Sequence, residues 1–283
     1  MAQPSVSAQV RQLERSLGAQ LFHRGPGVVT MTDAGEALLP MARRVLADLA
    51  EVVDRVTELD GLRRGHVGIG ATPSLGATLL PSVLGRFHNR YPGVSLTVLE
   101  QGSRHLVHEL ETGGIDLALA ILPLHQPTLV RDVLAVEELV VVTAPDHPLA
   151  GRRRIGLGEL RDVPMVMFRD GYDLRSATLA AFGSAGFEPQ VAVEGGEMGS
   201  VLSLVAEGLG AAIVPSIVVS GDAGLRVVRL REPGLHRDIA LVRRADRAPS
   251  RAANALATEI TDLLGNEGWP GRMPPGLRLC LGD

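Results

Sequence analysis

A run of short hydrogen-bonding and basic side chains opens this chain: Gln3, Pro4, Ser5, Ser7, Gln9 and Arg11, with Arg24 further on. Amide, hydroxyl and guanidinium groups carried on one helix are what reading base edges in a major groove needs. The spacing predicts that helix. Pro4 suits a first helical position, and Ser5 can cap free N–H groups. Val6, Val10, Leu13 and Leu17 recur as an apolar stripe at helical intervals, and Gly18 stands where a glycine stop belongs. Ser5, Ser7, Gln9, Arg11, Gln12 and Arg15 lie on the other faces, with the stripe holding the helix from behind. LFHRGPGVVTMT then reads as a hairpin, turning at Gly25-Pro26-Gly27 and returning through Val28-Val29-Thr30. Helix followed by hairpin is the order of a winged helix-turn-helix. The plainer alternative is an amphipathic surface helix.

Other residues with chemical potential are weaker candidates. GIGATPSLG and GGEMGS are glycine-rich but match neither a P-loop nor a dinucleotide fingerprint. His105, His108 and Glu109 share a predicted helix, yet without a third clustered ligand a solvated helix face is the favoured reading. There is no G-x-S-x-G elbow, and Cys280 sits in no motif. No catalytic residue, metal ligand or cofactor site is assigned.

The elements that would position a ligand site follow from the change of period along the chain. Thr32 can cap a helix through DAGEALLPMARRVLADLAEVVDRVTELDGL, in which Leu38, Ala42, Val45, Leu49, Val52, Val56 and Leu59 form a heptad seam. A seam of period 3.5 favours a partner helix over packing within its own domain. Pro40 implies a kink or a late start, and Gly61 and Gly65 around Arg63-Arg64 form a hinge. From His66 onward, strand and helix alternate, which indicates a parallel α/β sheet. The strands are HVGIGAT, VSLTVLE and IDLALAIL, followed by two extended runs in LVRDVLAVEELVVVT. A second alternation begins at Val163, and SRAANALATEITDLL closes the fold. Ligands of open α/β sheets sit at strand ends beside helix N-termini. The strand ends here offer Thr72, Ser74, Gly102, Ser103, Leu122 and Pro123, then Phe168, Arg169, Met198 and Gly199. Helix N-termini favour anions, so a small carboxylate is the expected ligand. The competing reading of each hydroxyl is a helix cap, and of Arg169 a surface residue.

QPSVSAQVRQLERSLGAQLFHR…VTMTDAGEALLPMARRVL resembles the recognition helix, wing and linker-helix start of LysR-type transcriptional regulators. PDHPL and VAEGLGAAIVP are similar to strings of the same family's effector domain. The resemblance covers residues 1 to about 265. It implies an α/β fold with a partial winged helix-turn-helix (1–32) and a long linker helix for dimerisation (33–64). A two-lobed, type 2 periplasmic-binding-protein-like effector domain follows (65–265). Lobe I is expected at 65–161 and 245–265, and lobe II at 162–244. Residues 266–283, rich in glycine and proline, are expected to be a disordered tail, with Trp269 either exposed or docked. The implied partners are double-stranded operator DNA, a small-molecule effector and further copies of the chain, as homodimer or homotetramer. Two departures stand out. Ala8 occupies a position usually basic in the family, and the family's first two helices precede a motif that here begins at Met1. An upstream start is the favoured expectation and a truncated regulator the other; either way the head should be frayed and bind DNA only non-specifically.

Composition agrees with this outline and limits the rivals. The 283 residues suffice for one large or two ordinary domains, and 45% hydrophobic with 21% charged residues is a globular balance. The net charge of −4 argues against coating nucleic acid by charge alone, whereas the first thirty residues set three arginines against Glu14. The chain has no lysine, which reads as genome composition. No apolar run is long enough to span a bilayer and no signal-peptide core follows Met1, so a cytoplasmic protein without a membrane partner is expected. A solute-binding protein or small enzyme on the same two-lobed fold would need neither the heptad helix nor the polar first helix. A dimerisation partner that has lost DNA binding stays open.

Overall fold

The computed structural model describes residues 3–23, 29–56, 64–219 and 224–280, and the chain divides into two units near Leu59. In the first, α1 spans Gln3–Leu17 and Gly18 ends it in the left-handed region at φ 69°, where a residue without Cβ is unstrained. Glu14 turns inward, and its Oε1 accepts the Leu21 N–H at 3.0 Å, tying the chain beyond the helix back onto it. Among the described residues the apolar stripe has little cover: Val6, Leu13 and Leu17 are about half exposed. β1 (Phe22–His23) pairs antiparallel with β2 (Thr30–Met31), as the hairpin reading requires; its turn at Gly25-Pro26-Gly27 lies outside the described residues. Thr32 caps α2 (Asp33–Val56): its Oγ1 accepts the Gly35 N–H at 3.1 Å and donates to Gln20 O at 2.6 Å. Asp33 and Glu36 suit the positive end of the dipole. The helix begins ahead of Pro40 and continues through it.

The second unit is built on crossovers. β3 (Gly65–Ala71) lies parallel to both β4 (Val94–Glu100) and β5 (Leu117–Ile121). α3 (Pro73–Thr78) and α4 (Leu80–Arg90) lead from β3 to β4, and α5 (Ser103–Thr112) leads from β4 to β5. The expected two extended runs are one strand, β6 (Leu129–Thr143). β6 runs through two sheets. Leu129–Glu138 pairs with β12 (His236–Arg244), which also pairs with β5, completing the sheet of lobe I. Leu139–Thr143 pairs with β10 (Ala212–Pro215) and β11 (Arg226–Leu230), starting the sheet of lobe II. β7 (Arg154–Ile155) adds to β11. β8 (Pro164–Met167) and β9 (Gln190–Glu194) form a parallel pair flanked in sequence by α6 (Asp173–Ser184) and α7 (Met198–Ala206).

Three expectations are corrected here. β12 belongs to lobe I, not to the 162–244 segment read as lobe II, because its apolar face joins β5 and β6 over the lobe I core of Val67, Ile69, Leu119 and Leu241. β7 belongs to lobe II, although the sequence places residues up to 161 in lobe I. The tail read as disordered is packed through Cys280. After α8 (Arg251–Asp262) and a π turn at Leu263–Glu267, Trp269 is 5% exposed and joins Leu263, Leu264 and Leu277 in the lobe I core. β13 (Arg278–Leu279) then pairs with β6, and the Cys280 N–H donates to Leu134 O at 2.8 Å. Burying one indole offsets the entropy that glycine and proline composition implies.

Candidate effector cleft and DNA-reading helix

α1 carries Gln3, Pro4, Ser5, Ser7, Gln9 and Arg11; Ser7, Gln9 and Arg11 are exposed, and Arg24 lies outside the described residues. On α2 the seam is largely solvent-facing. Leu38 is half-buried, whereas Val45, Leu49 and Val52 are each more than half exposed. Val56 lies on the same helix, and Leu59 falls outside the described residues.

In the second unit, a cleft of about 650 Å³ opens between lobe I and lobe II. Thr72, Ser74, Gly102, Arg169 and Met198 line it, as the strand-end rule expects. Thr72 follows β3 and precedes α3, where its N–H is held by Leu119 O at 3.1 Å, so its side chain is delivered to the sheet's carboxyl edge. The residue is only 4% exposed, and its hydroxyl has no hydrogen-bond partner among the described residues. The hydroxyl of Tyr172, a residue 8% exposed, is in the same condition. The Tyr172 ring stacks on Phe168 with centroids 4.8 Å apart and planes within 7°. The Arg169 guanidinium lies 5.8 Å from the centre of the Tyr172 ring. Phe168 thus supports a lining residue and does not itself line the cleft. Burial, reinforced by Glu197 and Glu100, holds the Tyr172 phenol well above its ordinary range, so it is a neutral hydrogen-bonding group.

Other expected residues fall elsewhere. Ser103 is buried, and its Oγ accepts the Ile121 N–H at 3.0 Å, so its hydroxyl braces β5 and is not presented to a ligand. Leu122 and Pro123 border an adjoining depression with Leu124, Arg131, His236, Arg237 and Asp238, because the chain turns away from the cleft after β5. Gly199 does not line the cleft, whereas its neighbour Met198 does.

Several lining groups escaped the strand-end rule. Arg237, on β12, donates to Ser74 Oγ at 2.8 Å and to Glu137 Oε2 at 2.7 Å. Glu137 is fully buried, and its other oxygen accepts the Ile217 N–H at 2.8 Å, so the ion pair is satisfied on both sides. Arg169 pairs with Glu197 at 3.0 Å. Glu100, Asp173 and Glu197 bring carboxylates, while Arg104, His105 and His108 approach from α5. The helix N-terminus expected to receive a ligand carboxylate already holds one: the Ser103 N–H donates to Asp173 Oδ2 at 2.7 Å. β6 and β12 each carry several charged residues, so nothing in the sequence singled out Glu137 and Arg237 as the buried pair. Nothing local marked Asp173 or Tyr172. Among the described residues, no group of three or more His, Cys, Asp or Glu is placed to hold a metal ion, and no helix is long and apolar enough to cross a membrane.

Comparison with known proteins places these features in context. Residues 60–265 match the LysR substrate binding domain, and residues 1–36 match the bacterial regulatory helix-turn-helix protein of the lysR family. A probable hydrogen peroxide-inducible genes activator of Streptomyces viridosporus is 32% identical over 271 residues, covering 93% of this chain and 86% of the relative. A probable nitrogen assimilation transcriptional activator of Synechococcus elongatus is 34% identical over 249 residues, covering 85% and 79%. Among solved structures, a cysteine mutant of Corynebacterium glutamicum OxyR superposes with TM-score 0.66 at 28% identity, covering 95% of this chain and 85% of that one. A point mutant of full-length BenM gives TM-score 0.65 at 26% identity, covering 96% and 91%.

Proposed function

The chain belongs to the LysR family of DNA-binding transcriptional regulators, whose operator binding is controlled by a small-molecule effector, and from that premise we propose that the cleft over Thr72 and Tyr172 is the effector site. The observation that carries this reading is that two buried hydroxyls without partners, Thr72 and Tyr172, line the cleft. An unmet buried hydroxyl costs on the order of 1–3 kcal/mol. Two of them lining one cleft are groups that a bound molecule would satisfy. Ser7, Gln9 and Arg11 on α1 are the base- and phosphate-reaching side chains, with Gln3, Pro4 and Ser5 at the helix start and Arg24 beyond the first hairpin strand. The exposed seam of α2, through Val45, Leu49 and Val52, supports a homo-oligomer joined along that helix. Operator binding implies a cytoplasmic protein.

The names of several relatives speak of hydrogen peroxide. Peroxide that oxidises two thiols of one chain to a disulfide needs two cysteines, and these 283 residues hold one, Cys280. A reversibly bound molecule is the signal that the residues favour. The test is Thr72→Val and Tyr172→Phe, each removing an unmet hydroxyl with little change of shape. Both unliganded variants should melt at or above the wild-type temperature. Both should lose affinity for any compound that a thermal-shift screen finds for the wild-type chain. Full affinity in both variants would place the effector elsewhere.

A further inference from the structure

α5 has no acidic residue of its own in its first turn. A helix start of this kind presents free N–H groups and the positive end of the dipole. In this protein the seat is filled from the other lobe. Asp173, the first residue of α6, is 70 positions from Ser103 and accepts its N–H at 2.7 Å. The second carboxylate oxygen stands 3.4 Å from where a Cβ on residue 102 would be, so the acid lies in contact distance of the turn that opens α5. The Ser103 hydroxyl is engaged with the Ile121 N–H. Of the cleft's arginines, Arg169 is engaged with Glu197 and Arg237 with Glu137, while Arg104 lies on the exposed side of α5. The groups that await a partner are neutral hydroxyls: Thr72 at 4% exposure and Tyr172 at 8%. Glu100 adds an acid to the same cleft.

We propose that Asp173 is an internal ligand and the specificity-determining residue of the cleft: it occupies the anion seat of lobe I, so the effector brings hydroxyl or amine donors, not a carboxylate, to this end. The inference rests on the cleft being the effector site, but its test reads the seat directly. Acetate and benzoate are titrated against the full chain by calorimetry, with benzamide as the uncharged counterpart of benzoate. The wild-type chain should take up neither anion. Asp173→Ala empties the seat and should bind benzoate at least about tenfold more tightly than wild type, with no gain for benzamide, a difference of ~1.4 kcal/mol. Adding Ser103→Pro removes the donating N–H at a first helical position, where proline is tolerated, and should abolish the gain, whereas Ser103→Ala, which loses only the hydroxyl held by Ile121, should keep it. Where Asp173→Ala does not fold, Asp173→Asn and Asp173→Gly carry the test. In Asp173→Asn the amide oxygen still accepts the Ser103 N–H, so the seat stays filled and benzoate should gain less than about twofold, whereas Asp173→Gly, with no side chain to reach Ser103, should show the full gain. Equal benzoate affinity in the wild-type chain and the Asp173→Ala or Asp173→Gly variant overturns the proposal, as does a gain that survives Ser103→Pro. A gain at the seat, with effector affinity unmoved by Thr72→Val and Tyr172→Phe, would retain the internal ligand and discard the effector assignment.

Discussion

Glu100 has two reasons to hold its proton: burial first, and then the neighbouring charge of Glu197. A carboxyl whose pKa is raised on folding contributes stability that is fully present below its unfolded pKa and lost as pH rises through its folded value. Glu100→Gln removes that loss. The variant should therefore melt together with the wild type near pH 4, about the ordinary carboxylate pKa, and at or above it near neutrality. A melting difference independent of pH would show that Glu100 does not titrate this way. Arg237 illustrates the opposite case, a charge whose partner lies deeper than itself. Removing it as Arg237→Met leaves Glu137 fully buried with one charge partner gone, at a cost of roughly 3–5 kcal/mol. Adding Glu137→Gln should recover part of that loss in urea unfolding. Equal losses in the single and double variants would mean that the pair is not coupled.

At the scale of elements, α2 shows what a heptad pattern means when no described residue of its own unit covers it. Val45 is 65%, Leu49 59% and Val52 55% exposed, and Met41 and Leu46 are exposed on the same helix. Apolar contact of this extent on one helix is worth covering with a second copy. Leu49→Glu puts an unpaired charge where that seam would be dry. Sedimentation at micromolar protein should show a smaller species for the variant than for the wild type. An unchanged mass would assign the oligomer, or its absence, to another surface. β6 is the element that makes the two lobes one unit. Its first part belongs to one sheet and its last part to the other, so residues on it and on β12 stand at the meeting of the lobes. That position brings the Glu137–Arg237 pair to Ser74.

At the scale of the molecule, the lobe I core extends to residues that composition assigned to solvent. Trp269 and Leu277 belong to the same buried core as Leu256 and Ile260 of α8 and Leu134 of β6. Trp269→Ala should therefore cost about 3–5 kcal/mol in urea unfolding, as large-to-small changes in cores do. Less than about 1 kcal/mol, the usual size of a surface effect, would mean that the tail is not part of the folding unit.

Periodicity by itself determined the elements: the first helix and its glycine stop, the hairpin, the heptad helix, and the alternating strands and helices of the second unit. These are local properties, written in the spacing of apolar residues and in capping groups a turn apart. The strand-end rule likewise reached Thr72, Ser74, Gly102, Arg169 and Met198, because a parallel sheet always exposes its carboxyl edge. Only the tertiary structure decided which strand joins which sheet, and hence that β12 completes lobe I. It alone brought Asp173 onto Ser103 across 70 residues and Arg237 onto Glu137 across 100. It also drew Trp269 into the core from a glycine- and proline-rich stretch. Hydropathy states that a residue is buried or charged but not against what, and the choice of partner arises only when distant segments share one packed interior.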